Sequence, residues 1–486
     1  MTANRVISTN GVSRRQVMEA RANLEGLFGP RAVAVVGASS KAARVGRIIF
    51  ETLLRSERPI YPVHPSESTI LGQPVFKSVD DLPSDVDLVV IATNAEQAVD
   101  AAEACGRHKI PFIIPVAGGF SEIGDEGRVL EDKLRLVVSR YGSRILGPNT
   151  LGIFAPQERL DTIFVEHGNR ALGQGGGVAF IAQSGSVGVE ALGIESNIGF
   201  GLRAFVGLGN MIDLDEIDFL AHFRDDPRTT CVALYIESLS RGRDFLEAAR
   251  EVARKKPVVV LKAGRTTSAT AAIASHTGRL AGPDRVVDGV FRQFGIQRVF
   301  DEEQLCDAAR VLSFVGLQPR GNRVAILSPG GGYGVMATDE VEMSGVSVPL
   351  VMAKLSTKTK SAIRTVTPPF ASVENPVDLT ASATDDMTIN TLAVLLEDEG
   401  VDVVLCIALF APPGISDGLI RKIAGLVSDA AKPVIVVSQF GPFTDGHISR
   451  LYDYGVVGFP SVPRGVRAVR WIVERAHMDS WLAGKP

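Results

Sequence analysis

Short apolar, β-branched runs alternate with amphipathic stretches of helical period along almost the whole chain. That pattern builds parallel sheets whose crossover helices cover both faces. In a first unit Val33–Val36, Pro59–Val63, Leu88–Ala92 and Phe112–Pro115 read as buried strands, ending near Gly147-Pro148-Asn149. A second sheet is expected after the glycine-rich stretch 173–177, with strands Val178–Ala182, Val232–Ile236 and Val258–Lys262. The segment Leu317–Asn322 reads as a linker to a third unit with strands Val324–Ser328, Val403–Phe410 and Val434–Gln439. The 486 residues suffice for three such units of roughly 100–200 residues each. The expected division is an N-terminal extension over 1–23, then units over 24–150, 151–316 and 317–486.

The second and third units read as an internal repeat. VAFIAQSGSVGVEA from Val178 resembles VAILSPGGGYGVMA from Val324, each a strand, a glycine turn and a helix start. CVALYIES pairs with VVLCIALF, and KKPVVVLKAG with AKPVIVVSQFG. Duplication explains this economically. The copies differ after Lys262, where a long loop carries His276, whereas the third unit turns with the short FGPFTDG.

Composition excludes several function classes. A net charge of -4 offers no broad basic field for nucleic acid or an anionic membrane. The four cysteines, Cys105, Cys231, Cys306 and Cys406, stand apart with no CxxC or Cys/His cluster, so neither a metal site nor a disulfide framework is expected. No apolar run reaches the about 18 residues of a membrane span, and MTANRVISTNGVSRRQ lacks a signal-peptide core. A cytoplasmic location is the expectation.

Val33–Val36 runs into Gly37-Ala38-Ser39-Ser40, with a helix expected from about Val45. Such a turn aims backbone N–H groups and a positive helix end at a phosphate. The spacing Gly37 to Gly46 is not GxGxxG, and the second strand ends in YPVHP without the carboxylate an NAD ribose needs. The turn therefore reads as a site for a phosphorylated adenosine ligand other than NAD, or as a glycine turn made for packing.

Three loops of the second unit leave the carboxyl ends of strands, where open α/β sheets bind ligands. Gln183-Ser184-Gly185-Ser186 opens a helix and forms an anion cradle; Glu237 follows the strand ending at Ile236; His276 sits in the loop AGRTTSATAAIASHTGRLAG. A histidine there, its ring held by Glu237, is placed to act as a nucleophile whose phosphoryl group the cradle receives. The residues alone leave a second reading, an ordinary loop histidine.

Taken together, LFGPRAVAVVGAS, YPVHP, GPNTLG, IAQSGSVG, YIES, SHTGRLAG and NPVDL resemble the α subunit of the NDP-forming (ADP-forming) acyl-CoA synthetases, relatives of succinyl-CoA synthetase, over about Leu24–Val473. The resemblance implies a Rossmann-like CoA-binding domain followed by two flavodoxin-like domains. It implies phosphorylation of His276, support from Glu237, and phosphoryl binding by Gln183, Ser184, Gly185 and Ser186. It places CoA against Gly37, Ser39, Ser40, Pro65 and Ala92, with its thiol near Asn149. It further implies ATP/ADP with Mg2+ on a separate ATP-grasp β subunit, a carboxylic acid substrate, and an α2β2 assembly or a homodimer of this chain alone. Alternatives with the same fold are a CoA-binding regulatory protein and an acyl or carbamoyl transferase without phosphohistidine. His64 and Thr150 stand where PVNP and GPNCLG are usual, and Tyr333 where GGGPG is common.

Overall fold

The computed structural model describes residues 23–165, 176–198, 201–270, 284–343, 348–439, 441 and 445–484. Three sheets dominate it. The first is all parallel, in spatial order Ile60–Val63, Ala32–Val36, Val86–Ile91, Phe112–Pro115 and Arg144–Ile145. The second holds five parallel strands in the order Ile296–Val299, Val258–Lys262, Cys231–Ile236, Val178–Ala182 and Leu202–Gly207. The third repeats this with Val351–Met352, Arg323–Ser328, Val403–Ile407, Val434–Val437 and Gly458–Phe459, and Val377–Asp378 beside Arg323–Ser328. In each sheet the strand that opens the parallel set, Ala32–Val36, Val178–Ala182 or Arg323–Ser328, has later parallel strands on both sides, so the chain reverses direction across the sheet there. Such a switch point leaves a crevice at the carboxyl ends of the strands.

The second sheet starts earlier than the glycine-rich stretch suggests. Ile153–Ala155 and Leu160–Asp161 add to the edge of Leu202–Gly207 as antiparallel strands. The third-unit strands are shorter than the apolar runs that announce them, closing at Ile407 and Val437. Beyond those points the chain leaves the sheet but stays buried, as at Ala408 and Leu409.

The units share their cores. One apolar cluster holds Phe180 and Phe205 of the second unit together with Ile326, Leu405 and Trp471 of the third. The closing helix Val462–Leu482 packs on Glu302–Phe314, and Arg464 pins it by a bidentate pair to buried Asp307 at 2.7 Å. Gln297 Nε2 donates to Trp471 O at 2.9 Å. A second cluster joins Leu24 and Phe28 to Phe219 and Phe223, where rings meet edge-on or tilted. Arg144 reaches across to Asp213 at 2.9 Å and Asp218 at 3.3 Å. These contacts fix the first crevice against the second.

The four cysteines are buried core residues, and burial pushes the Cys231 and Cys406 thiols up to about 12. Among the described residues no helix is long and apolar enough to cross a membrane, and no cluster of His, Cys, Asp or Glu fits a metal ion.

Candidate active site

Gly37 follows the buried strand Ala32–Val36 with φ +83°, a left-handed conformation. A Cβ there would lie 2.8 Å from Ala92 O, and one on Gly46 would lie 2.0 Å from Gly37 O. Two glycines thus let the turn, the third strand's end and the next helix meet backbone to backbone. The helix Val45–Leu53 begins with no side-chain cap, so its first N–H groups face the turn. Topology brings Gly37, Ser39, Ser40, Pro65 and Ala92 to the ends of three neighbouring strands.

His64 has a structural task. Its Nδ1 accepts from Ser66 N at 3.3 Å and Glu67 N at 3.2 Å, as an asparagine oxygen does in an Asx turn. Glu67 in turn accepts from Ser40 N at 3.2 Å, and this bond holds its carboxyl below the usual range. Lys41 and Arg44 stand exposed just before the helix, cations well placed for a polyphosphate. Sequence reading passed over them, although basic residues directly before a helix start are a legible signal.

In the second unit, Gly185–Ile198 starts at the switch point beside the strand that leads to Glu237. Ser184 Oγ and Ser186 Oγ lie 3.1 Å apart at its exposed N-terminus. The side chain of Gln183, expected among the phosphate ligands, bridges two loops. Its Oε1 accepts from Glu237 N at 2.8 Å and Ser238 N at 3.1 Å, and its Nε2 donates to Ser238 O at 2.9 Å. Lys262 Nζ donates to Glu237 O at 2.8 Å, and burial pulls its pKa down. Tyr235 OH donates to Glu237 Oε1 at 3.4 Å, and burial together with that carboxylate raises the phenol. Glu237 is therefore fixed from both flanking strands. His276 lies outside the described residues; the chain leaves the sheet at Lys262 and enters it again at Ile296, after the helix Asp284–Gln293.

A cleft of about 570 Å3 brings the two units' loops together. Asn149 lines it from the first unit, and Ser184–Ser186 and Glu237 from the second. Thr150 is buried there, its Oγ1 donating to Gly207 O and accepting from Gly152 N at 2.9 Å. Glu122 and Asn210 also line the cleft and had no place in the sequence reading. Asn210 follows Leu202–Gly207, a strand whose apolar run is broken by Arg203 and flanked by glycines.

Comparison with known proteins agrees with this layout. A CoA binding domain model matches residues 31–156, a succinyl-CoA ligase like flavodoxin domain 175–312, and a Ligase-CoA domain 324–473. The α subunit of ADP-forming acetate–CoA ligase I of Pyrococcus furiosus is 35% identical over 457 residues, covering 92% of this chain and 96% of its own. The α subunit of ligase II of that organism is 35% identical over 427 residues, covering 86% and 90%. The solved acetyl-coenzyme A synthetase 1 of Ca. Korarchaeum cryptofilum, in complex with phosphate and ADP, superposes with a TM-score of 0.87 at 31% identity, covering 95% and 99%. With a CoA-binding unit, a ligase flavodoxin unit and these relatives matched nearly end to end, the chain belongs to the α subunits of the ADP-forming acyl-CoA ligases.

Proposed function

We propose that the chain is the phosphohistidine-carrying half of a carboxylic acid:CoA ligase, His276 shuttling the phosphoryl group. ATP with Mg2+ on a separate ATP-grasp subunit phosphorylates His276. The loop returns the phosphoryl group to the cleft, where the substrate carboxylate takes it to form an acyl phosphate. The CoA thiol then forms the thioester and releases phosphate, each step being reversible.

The cleft carries this reading, because it puts the N-terminus of the helix Gly185–Ile198, Glu237 on its braced loop and Asn149 of the CoA-type unit within one space. The helix N–H groups match the charge on phosphoryl oxygens. Glu237 would hold the imidazole tautomer and balance the charge gained on phosphorylation. Gly37, Ser39, Ser40, Pro65 and Ala92 would receive the nucleotide end of CoA, with Lys41 and Arg44 near its phosphates.

The cleft walls bear Glu122, Glu131, Asp132 and Glu237 against Arg128 and Arg135. Both arginines are already paired, with Asp125 and with Glu131 and Asp132. A second substrate carboxylate would meet excess negative charge there, which favours a monocarboxylic acid. Acetate is the acid named for the Pyrococcus relatives.

The test is intact mass after incubation with the co-expressed partner, ATP and magnesium, beside a His276→Ala control. An acid-labile phosphate on the wild type alone is expected. No gain with a demonstrably active partner would overturn the reading in favour of a CoA-binding regulatory protein or a transferase.

A further inference from the structure

Glu122, Asn210 and Asn149 form a hydrogen-bonded line across the two units. Gly119 N and Phe120 N donate to Glu122 Oε1 at 2.6 and 3.1 Å. Asn210 Nδ2 donates to Glu122 Oε2 at 2.8 Å, and Asn149 Nδ2 donates to Asn210 Oδ1 at 3.4 Å. Gly118 makes room for the line: a Cβ there would lie 3.0 Å from Glu122 Oε1 and 3.3 Å from Asn149 Oδ1. Asn149 itself is held by Asn149 N donating to Ala117 O at 3.1 Å, and Asn210 by Asn210 N donating to Pro148 O at 2.9 Å.

An asparagine amide offers a donor and an acceptor of nearly equal shape, so its orientation is set by its partners. A carboxylate only accepts. Burial alone would raise the Glu122 carboxyl, but the Asn210 amide and three backbone N–H groups hold it below the usual range. The ionised Glu122 compels Asn210 to turn Nδ2 toward it and Oδ1 toward Asn149. Asn149 must then donate inward, which leaves its Oδ1 as the cleft-facing atom. That oxygen accepts no hydrogen bond among the described residues, and Asn149 is exposed to the cleft.

We propose that Glu122 is a positioning residue which, through Asn210, sets the polarity of Asn149 so that its Oδ1 accepts a hydrogen bond from the CoA thiol. This rests on the ligase reading above and concerns its last step. There the sulfur–carbon bond forms, the carbon–oxygen bond to phosphate breaks, and the thiol proton leaves with the departing phosphate. An acceptor on the S–H turns a sulfur lone pair toward the acyl carbon.

Glu122→Gln reverses the line without changing its shape. The glutamine Oε1 keeps the Gly119 and Phe120 N–H groups, so its Nε2 faces Asn210 and both asparagines must turn over. Asn149 would then offer the thiol a donor. Adding Asn210→Asp restores an acceptor-only group in the middle of the line, and with it the original polarity of Asn149.

The experiment uses the full chain with its partner subunit and compares wild type, Glu122→Gln and Glu122→Gln/Asn210→Asp. Three readouts are taken: phosphate on His276, thioester formation from acyl phosphate and CoA, and calorimetric affinity for CoA against desulfo-CoA. Glu122→Gln is expected to phosphorylate as wild type and lose about ten- to a hundredfold in thioester kcat, up to the loss of one positioned hydrogen bond at a reacting group. It should also lose the preference for CoA over desulfo-CoA, and the double variant should recover both. Wild-type thioester rates in Glu122→Gln overturn the proposal. So does a loss that Asn210→Asp fails to rescue, or a loss of His276 phosphorylation, since each points to a merely structural role. Absence of phosphate from the wild type would instead defeat the ligase reading beneath it.

Discussion

Replacing Gln183 by leucine tests whether the phosphate loop and the Glu237 loop are one device. The side chain makes three hydrogen bonds, two accepted from Glu237 N and Ser238 N and one donated to Ser238 O. Glu237 and Ser238 are 7% and 3% exposed, so water cannot replace the lost partner without opening the site. Leucine is close in size but satisfies none of the three groups. At about 1–3 kcal/mol for each orphaned buried group, partly relieved by relaxation, the loss comes to about 2–4 kcal/mol. At about 2–4 °C per kcal/mol, the Tm falls about 4–16 °C below wild type. Freed from the brace, Glu237 no longer faces a fixed point, and His276 phosphorylation should slow by about tenfold or more. Thermal unfolding and the rate of phosphate gain with partner and ATP read the two effects separately. A variant that melts and phosphorylates as wild type does would refute the view of Gln183 as a brace. Retained melting with lost phosphorylation would return it to direct phosphate binding.

Gly46→Ala should weaken CoA binding at least about tenfold in calorimetric titration, because the new Cβ meets Gly37 O at 2.0 Å, backbone that cannot swing aside. Asp226→Asn should cost about 1.5–3 kcal/mol at neutral pH by leaving Arg203, which is 2% exposed, with Glu158 as its one remaining carboxylate among the described residues. Burial would raise the Asp226 carboxyl, but Thr229 and Arg203 hold it below its usual value. Its contribution is thus present above the ordinary carboxylate range and lost as pH falls. Urea titrations should show the gap between variant and wild type narrowing below about pH 4. Arg310→Met should leave Tm unchanged or raise it, by up to about 1–4 kcal/mol of stability, since the guanidinium is fully buried and its three nitrogens have no hydrogen-bond partner among the described residues. A clear loss of Tm would show that its stacking over Phe459 outweighs its desolvation.

Much of the fold was legible because buried parallel strands are near-continuous apolar runs. Ala32–Val36, Val178–Ala182 and Val434–Val437 are buried along almost their full lengths and were readable for that reason. Several edge strands were not. Ile296–Val299 carries Gln297 and Arg298 in its middle, and Arg144–Ile145 and Gly458–Phe459 are two residues long. Such strands are held by neighbours rather than by their own pattern. The site divides along the same line. Glu237 and Ser184–Ser186 follow uninterrupted apolar strands, whereas Asn210 follows a strand broken by Arg203 and Glu122 sits in the one-turn helix Ser121–Ile123. The bonds from Gln183 to the Glu237 loop are not legible in sequence, since hydrogen bonds to another loop leave no local trace.

The cleft is a property of two units docked in one register. Residues 210–214 run beside 145–149, with Asn210 N on Pro148 O, Ile212 N on Gly147 O and Leu214 N on Ile145 O. Gly209 permits this approach, for a Cβ there would lie 2.2 Å from Pro148 O. Asn149 and Met211 both adopt positive φ, +56° and +53°, conformations that cost side-chain-bearing residues free energy unless neighbours impose them. The docking imposes them, and Arg144 with Asp213 and Asp218 locks the edge of the same seam. Neither unit alone holds Asn149 in this pose. The rigidity of the cleft comes from this seam between two sheets.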